Sequence, residues 1–288
     1  MPSRKGTPNT ENLIAKFKEE LTSRGYSSRT ADVYANAVAS FLKTVPDPAS
    51  VTSEDADAYL AAVVEGAREG KTSQSSVGIA VSAIKLYYKL MTEEDLELTV
   101  EIKRGKRTLP VILTREEIQK ISSVTRNVSH RLIFQLMYSS GLKLDELLAL
   151  RVKDVDIEGQ ALTIRGSNPG GRKKKQARET MMSERVAPQL HAFISDRNPD
   201  DYVFPGIDGG HMTPRAVQKA FKHALAKAGI RKRASCNSLR HSFAVHLLEK
   251  GIDIKHVQRL LGHARTETTS IYKRLVSNES VDIRSPLD

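Results

Sequence analysis

Between Asn237 and Tyr272 the chain reads N-S-L-R-H-S-F-A-V-H-L-L-E-K-G-I-D-I-K-H-V-Q-R-L-L-G-H-A-R-T-E-T-T-S-I-Y, and three of its side chains carry chemistry. Arg240 offers a planar guanidinium fork that can engage two oxygens of an anion at once. His263 brings an imidazole able to donate or accept a proton near neutral pH. Tyr272, nine positions after His263, brings a phenol of pKa about 10, a nucleophile once neighbouring cations activate it. Taken singly, the arginine reads as a helix-start clamp, the histidine as a packed helix-end residue and the tyrosine as a half-buried core aromatic.

The background that must position them is helical. Leu239, Phe243, Leu247 and Leu248 recur at helical spacing, Gly251 is a stop, and Asp253 is an N-cap for a second helix. That helix buries Ile254, Val257, Leu260 and Leu261 and ends at Gly262, which leaves His263 just past a helix end, free to face a cleft. Thr266 to Thr269 can cap a last helix carrying Tyr272. Arg240 falls near a helix start, where a cation gains nothing from the macrodipole, so its charge is better matched to an external anion.

L-R-H, then L-L-G-H, then a tyrosine nine residues on, resembles the second half of the tyrosine recombinase (phage integrase) signature, closest in wording to the Xer group, its archaeal type included. Upstream, S-S-G-L-K-L-D-E-L-L-A-L-R, residues 139–151, resembles the first box of that family, in which an arginine follows Gly-Leu. Here Lys143 stands in that place, with Glu146 three positions on. One helical turn separates them, so Glu146 is expected to hold Lys143. In the family the second box opens with His or Lys three residues before its arginine; here that residue is Asn237. The family also carries a hairpin lysine that protonates the leaving oxygen. Alignment back from Thr180-Met181-Met182 puts it at Lys174, alignment forward from Ile164 lands on Ser167, and Lys173 and Lys175 are alternates. The resemblance covers residues 115 to 275 well and the preceding helices more weakly.

The chain has 288 residues and a net charge of +11, enough length for two domains and a balance that favours a polyanionic partner. Three basic runs lie between expected elements, as phosphate-contacting loops would: Lys103, Arg104 and Arg107; Arg172 with Lys173 to Lys175; and Arg231 with Arg233. Cys236 is the single cysteine, so neither an intrachain disulfide nor a thiolate metal cluster can form. With no apolar run of membrane length and no acidic cluster to hold Mg²⁺, the expectation is a cytoplasmic protein, nucleoid-associated when bound, with no membrane contact, metal or cofactor.

The first 93 residues carry four helical patterns. Leu13, Phe17 and Leu21 mark one, Tyr34, Val38, Phe41 and Leu42 the next. The third starts near Ser53 and buries Tyr59 and Leu60, and the fourth carries Val77, Val81, Ile84 and Tyr88. By resemblance they form a helical core-binding (SAM-like) DNA-binding domain. Residues 94–112, with K-R-G-K-R and Pro110, read as a basic linker. Thr114 with Glu117 forms a capping box that opens the third segment, 113–288. There Ala161 to Arg165 and a return strand ending near Met182 flank the N-P-G-G turn, with helices from Glu184 to Ile194 and from Thr213-Pro214 to Lys227. The expected fold is mainly α with a small antiparallel β-hairpin or sheet, a helical domain followed by an α+β catalytic domain and a C-terminal tail.

A phosphodiester resists attack because it is anionic, so its cleavage needs cations on the non-bridging oxygens, a nucleophile and an acid for the leaving group. The resemblance implies Arg240 and Lys143 for the first, Tyr272 for the second and the hairpin lysine for the third, with His263 as donor to phosphate or acceptor of the tyrosine proton. It implies a covalent 3′-phosphotyrosyl link formed without ATP, on double-stranded DNA bearing an inverted repeat, by subunits that associate into dimers and tetramers. The biological task is dimer resolution or the integration of a mobile element. Lys143 and Asn237 depart from the pattern; losing one such donor can cost roughly 10²–10³ in rate. A compensating neighbour such as Arg151 or His241 is one expectation, a catalytically impaired DNA-binding relative another. A basic structural DNA-binding protein and a type IB topoisomerase are further alternatives, marked respectively by binding without a preferred site and by site-independent plasmid relaxation.

Overall fold

The computed structural model describes residues 10–48, 50–93, 95–99, 109–165 and 177–276, which fall into two units, 10–99 and 109–276. The first unit holds α1 (Thr10–Ser23), α2 (Ser28–Leu42), α3 (Ser53–Arg68) and α4 (Gln74–Thr92). Hydroxyl caps start three of them: Ser27 accepts from the Thr30 N–H, Thr52 from Asp55 and Ser73 from Ser76. At Thr52 the bond is returned by the Asp55 carboxylate, so the cap lies one residue ahead of Ser53.

The core of this unit is apolar. Phe17, Leu21, Phe41, Leu60 and Ile84 are fully buried, and the Phe17 ring meets Tyr87 edge to face at 5.3 Å. On α4 Val77 and Ile84 are buried as expected, and Ala80 and Tyr87 are buried as well, while Val81 and Tyr88 are only partly covered. Residues 95–99, read above as the opening of a linker, lie against these helices: Leu96 is buried and the Thr99 N–H donates to Asp57.

The second unit begins with α5 (Arg115–Val124), capped as expected by Thr114 and Glu117, which exchange bonds of 3.2 and 2.8 Å. Then come α6 (Val128–Ser140), the short α7 (Leu144–Leu148), and a three-stranded antiparallel sheet of β1 (Val155–Asp156), β2 (Ala161–Ile164) and β3 (Arg178–Met181), in that order. Ile164 pairs with Arg178 and Leu162 with Thr180. The small β1 extends the expected hairpin into a sheet. α8 (Ala187–Ile194) starts three residues after the Glu184 expected from sequence, and α9 (Pro214–Lys227) begins behind Thr213 as expected.

α10 (Cys236–Glu249), α11 (Ile254–Leu261) and α12 (Thr266–Lys273) complete the unit. α10 is not amphipathic: Leu239, Phe243, Ala244 and Val245 are buried together with Ser238, Arg240 and Ser242. A helix covered on all sides belongs to the core, and α10 packs chiefly on α6. Its polar groups are satisfied internally, since the Ser242 hydroxyl donates to the Ser238 carbonyl and accepts the Leu113 N–H. No helix among the described residues is long and apolar enough to cross a membrane.

Candidate active site

Arg240 sits on α10 with only 3 % of its surface exposed. Its two terminal nitrogens reach the C-terminal ends of two other helices: Nη1 donates to the Gly141 carbonyl beyond α6 at 2.6 Å, and Nη2 to the Leu261 carbonyl of α11 at 2.7 Å. Helix C-termini present unpaired carbonyls and the negative end of the macrodipole, so one cation closes both. Burial pulls the guanidinium down to about 10, which leaves it cationic at neutral pH.

Gly141 makes this arrangement possible. Its φ of +63° suits glycine, and a Cβ there would stand 2.4 Å from the Phe243 ring.

Nη2 of Arg240 also lies 3.0 Å from Nε2 of His263. A guanidinium only donates, so Nε2 accepts, and the ring hydrogen sits on Nδ1, directed to the Thr269 hydroxyl at 2.9 Å. Burial, followed by the charges of Arg240, Lys143 and Arg178, lowers His263 to about 4 and keeps it neutral. Thr269, expected to serve in capping α12, is buried and instead holds this ring.

Tyr272 on α12 is 3 % exposed, with its ring stacked on His263 at 6.3 Å between centroids. Its hydroxyl lies 2.8 Å from Nδ1 of His241, the residue that follows Arg240. Burial raises the phenol above its ordinary value, an effect the Arg240 charge opposes. His241 is lowered by burial and then by Arg240, so it too is neutral at pH 7.

Glu146 departs from expectation. It holds Lys143 through the backbone N–H at 3.1 Å, while its carboxylate ion-pairs with Arg178 at 2.9 and 3.2 Å and lies 3.7 Å from Arg240. Burial pushes this carboxyl up, but the hydrogen bonds and charge of Arg178 outweigh it and hold the group below the ordinary range. Arg178, at the start of β3, was not singled out from the sequence. It had read as one position of an alternating strand, and nothing local announces that its partner lies 32 residues upstream. Its Nε also donates to the Leu260 carbonyl, and a Cβ on Gly262 would stand 2.7 Å from it. Arg178 therefore ties the sheet both to Glu146 and to the turn that presents His263.

A cleft of about 760 Å³ opens over this cluster, lined by Lys143, Arg165, Arg178, Lys255, Arg259 and His263 among others. Of the remaining sequence candidates, Asn237 is exposed on the first turn of α10, and Arg231 and Arg233 are exposed in the loop before it. Arg151 does not join the cluster; it stacks on the Tyr202 ring at 4.6 Å and donates to the Asp200 carbonyl. Lys103, Arg104, Arg107, Arg172, Lys173, Lys174 and Lys175 lie outside the described residues. No group of three His, Cys, Asp or Glu suited to a metal occurs among the described residues.

Residues 112–279 match the phage integrase family, and residues 13–98 match the phage integrase N-terminal SAM-like domain. The chain belongs to the phage integrase family of tyrosine recombinases. It is 31 % identical to an Escherichia coli integrase/recombinase over 96 % of its own length and 93 % of the relative's. It is also 31 % identical to the tyrosine recombinase XerA of Pyrococcus furiosus, over 92 % and 90 %. A crystal structure of XerA recombinase is similar with a TM-score of 0.51 at 26 % identity, covering 92 % of this chain and 93 % of that one.

Proposed function

We propose that the chain is a site-specific DNA recombinase that cuts and rejoins strands through a 3′-phosphotyrosyl intermediate. The observation that carries this is the gathering of Arg240 from α10, His263 from the turn after α11 and Tyr272 from α12, with His263 on the wall of a cation-lined cleft. Arg240 and Lys143 bind the non-bridging oxygens of the scissile phosphate, and Tyr272 is the nucleophile. Glu146 orients the cations around it. A lysine of the 173–175 run, Lys174 in first place, protonates the departing 5′ oxygen, and exposed Asn237 replaces a donor on the same phosphate.

Residues 1–93 form a helical DNA-binding domain, 94–112 include a basic connection, and 113–288 form the catalytic domain and tail. Lys103, Arg104, Arg107, Arg172, Arg231 and Arg233 contact the phosphate backbone. The partner is double-stranded DNA bearing an inverted repeat, on which subunits assemble as dimers and tetramers in the cytoplasm, at the nucleoid.

Footprinting of the whole chain on genomic DNA identifies the site. A nicked duplex carrying that site then tests the chemistry: the native chain traps a covalent adduct and Tyr272→Phe abolishes it. An impaired DNA-binding relative, the reading favoured by Lys143 and Asn237, shifts the duplex identically with either residue and traps nothing.

A further inference from the structure

Three polar side chains neighbour the Tyr272 phenol: His241 on its hydroxyl, His263 stacked on its ring, and Arg240 bonded to His263. The phenolic proton has to leave as the oxygen attacks, yet most of the polar side chains of the cluster are unsuited to take it. Both ring nitrogens of His263 are engaged, Nε2 by Arg240 and Nδ1 by Thr269. Asn237 carries an amide, which takes up no proton at neutral pH, and it is exposed. Lys143, Arg178 and Arg240 are cations, and Glu146 is a weakened base bound by Arg178. His241 alone among these has a ring nitrogen on the phenol oxygen, at 2.8 Å, within the reach required of a general base.

We infer that His241 is a further catalytic residue, the base whose Nδ1 takes the phenolic proton of Tyr272. This rests on the recombinase reading of the site. In the step, the O–H bond of Tyr272 breaks and its proton passes to His241. The phenolic oxygen's electron pair forms the new bond to phosphorus, and the bond from phosphorus to the 5′ oxygen breaks. That oxygen leaves with its electron pair and takes one proton from the acid of the cleft. On religation His241 returns its proton to the phenol. The positive charge gained by His241 faces Arg240 and His263, and the negative charge building on the phosphate offsets it.

The test is single-turnover adduct formation on the nicked site duplex from pH 5 to 8. Neutral His241 is the active form and its pKa lies below the ordinary 6.5, so the native rate should be level above that value and fall in acid. His241→Gln, which can hold the phenol but not take its proton, should form adduct slower by on the order of 10²–10⁴ and lose the acid limb. Added imidazole should rescue His241→Gly. A duplex with a 5′-bridging sulfur, whose leaving group needs no acid, should leave the His241→Gln deficit in place. A variant as fast as the native chain, or faster, overturns the inference and makes the contact a latch on the tyrosine. A His241→Gln rate that falls in acid just as the native rate does also overturns it, since the acid limb then belongs to another group. If the native chain forms adduct and His241→Gln matches it, only this inference falls; if the native chain forms none, the recombinase reading falls with it.

Discussion

The two units solve burial in opposite ways. Between residues 10 and 99 the helices cover an apolar core, Phe17, Phe41, Leu60 and Ile84 among it, and spend their polar side chains at caps on the surface. Between 109 and 276 the last three helices bring a guanidinium, hydroxyls and a phenol inside, with Arg240, Ser238, Ser242, Thr269 and Tyr272 all buried. Taking a charge out of water is costly unless every donor finds a partner. The second unit supplies those partners from loop and helix-end carbonyls rather than from carboxylates alone. The lesson is that apolar packing makes a scaffold, whereas internal polar closure holds cations ready for an anion that arrives from outside.

Arg240→Ala tests that contrast most severely. It strips the Gly141 and Leu261 carbonyls of their donor and releases His263, so stability should fall by roughly 3 kcal/mol and adduct formation by at least about 10²-fold. Denaturant melts with a single-turnover assay check it, and unchanged stability would mean that water satisfies those carbonyls. Gly262→Ala comes next. Its φ of +65° and the 2.7 Å approach of Arg178 should cost about 1–3 kcal/mol and slow cleavage by moving His263, while leaving DNA affinity intact. Thr52→Ala, in the apolar unit, should have the smallest effect. Losing the reciprocal cap should cost about 1 kcal/mol of stability with no change in the chemical rate. A change in single-turnover rate there would show that the helical unit acts on the chemical step.

Local patterns declared a good deal of this molecule. The 3.6-residue spacing of Phe17, Leu21, Val38, Phe41 and Ile84, the Thr114–Glu117 box and the Thr213-Pro214 start each act within one or two turns, so they can be read without knowing what lies opposite. The order of Arg240, His263 and Tyr272 likewise pointed to the cluster, because it is carried by a continuous run of short helices. Arg178 as a second partner of Glu146 escaped notice, since an ion pair spanning 32 residues leaves no periodic trace. That Tyr87 rather than Tyr88 is buried goes with its edge contact to Phe17 across the bundle, which the spacing alone does not announce.

By itself, then, the order of residues determined which helices form, where they stop and which chemical groups are available, because capping, periodicity and glycine stops act over a few bonds. Only the tertiary structure decided who faces whom. The His263 tautomer follows from a guanidinium that donates to it, the seat of Arg240 from two helix ends converging on it, and the phenol's companion is His241 because α10 and α12 cross at that point. Those outcomes depend on distances between segments far apart in the chain, and packing alone sets them.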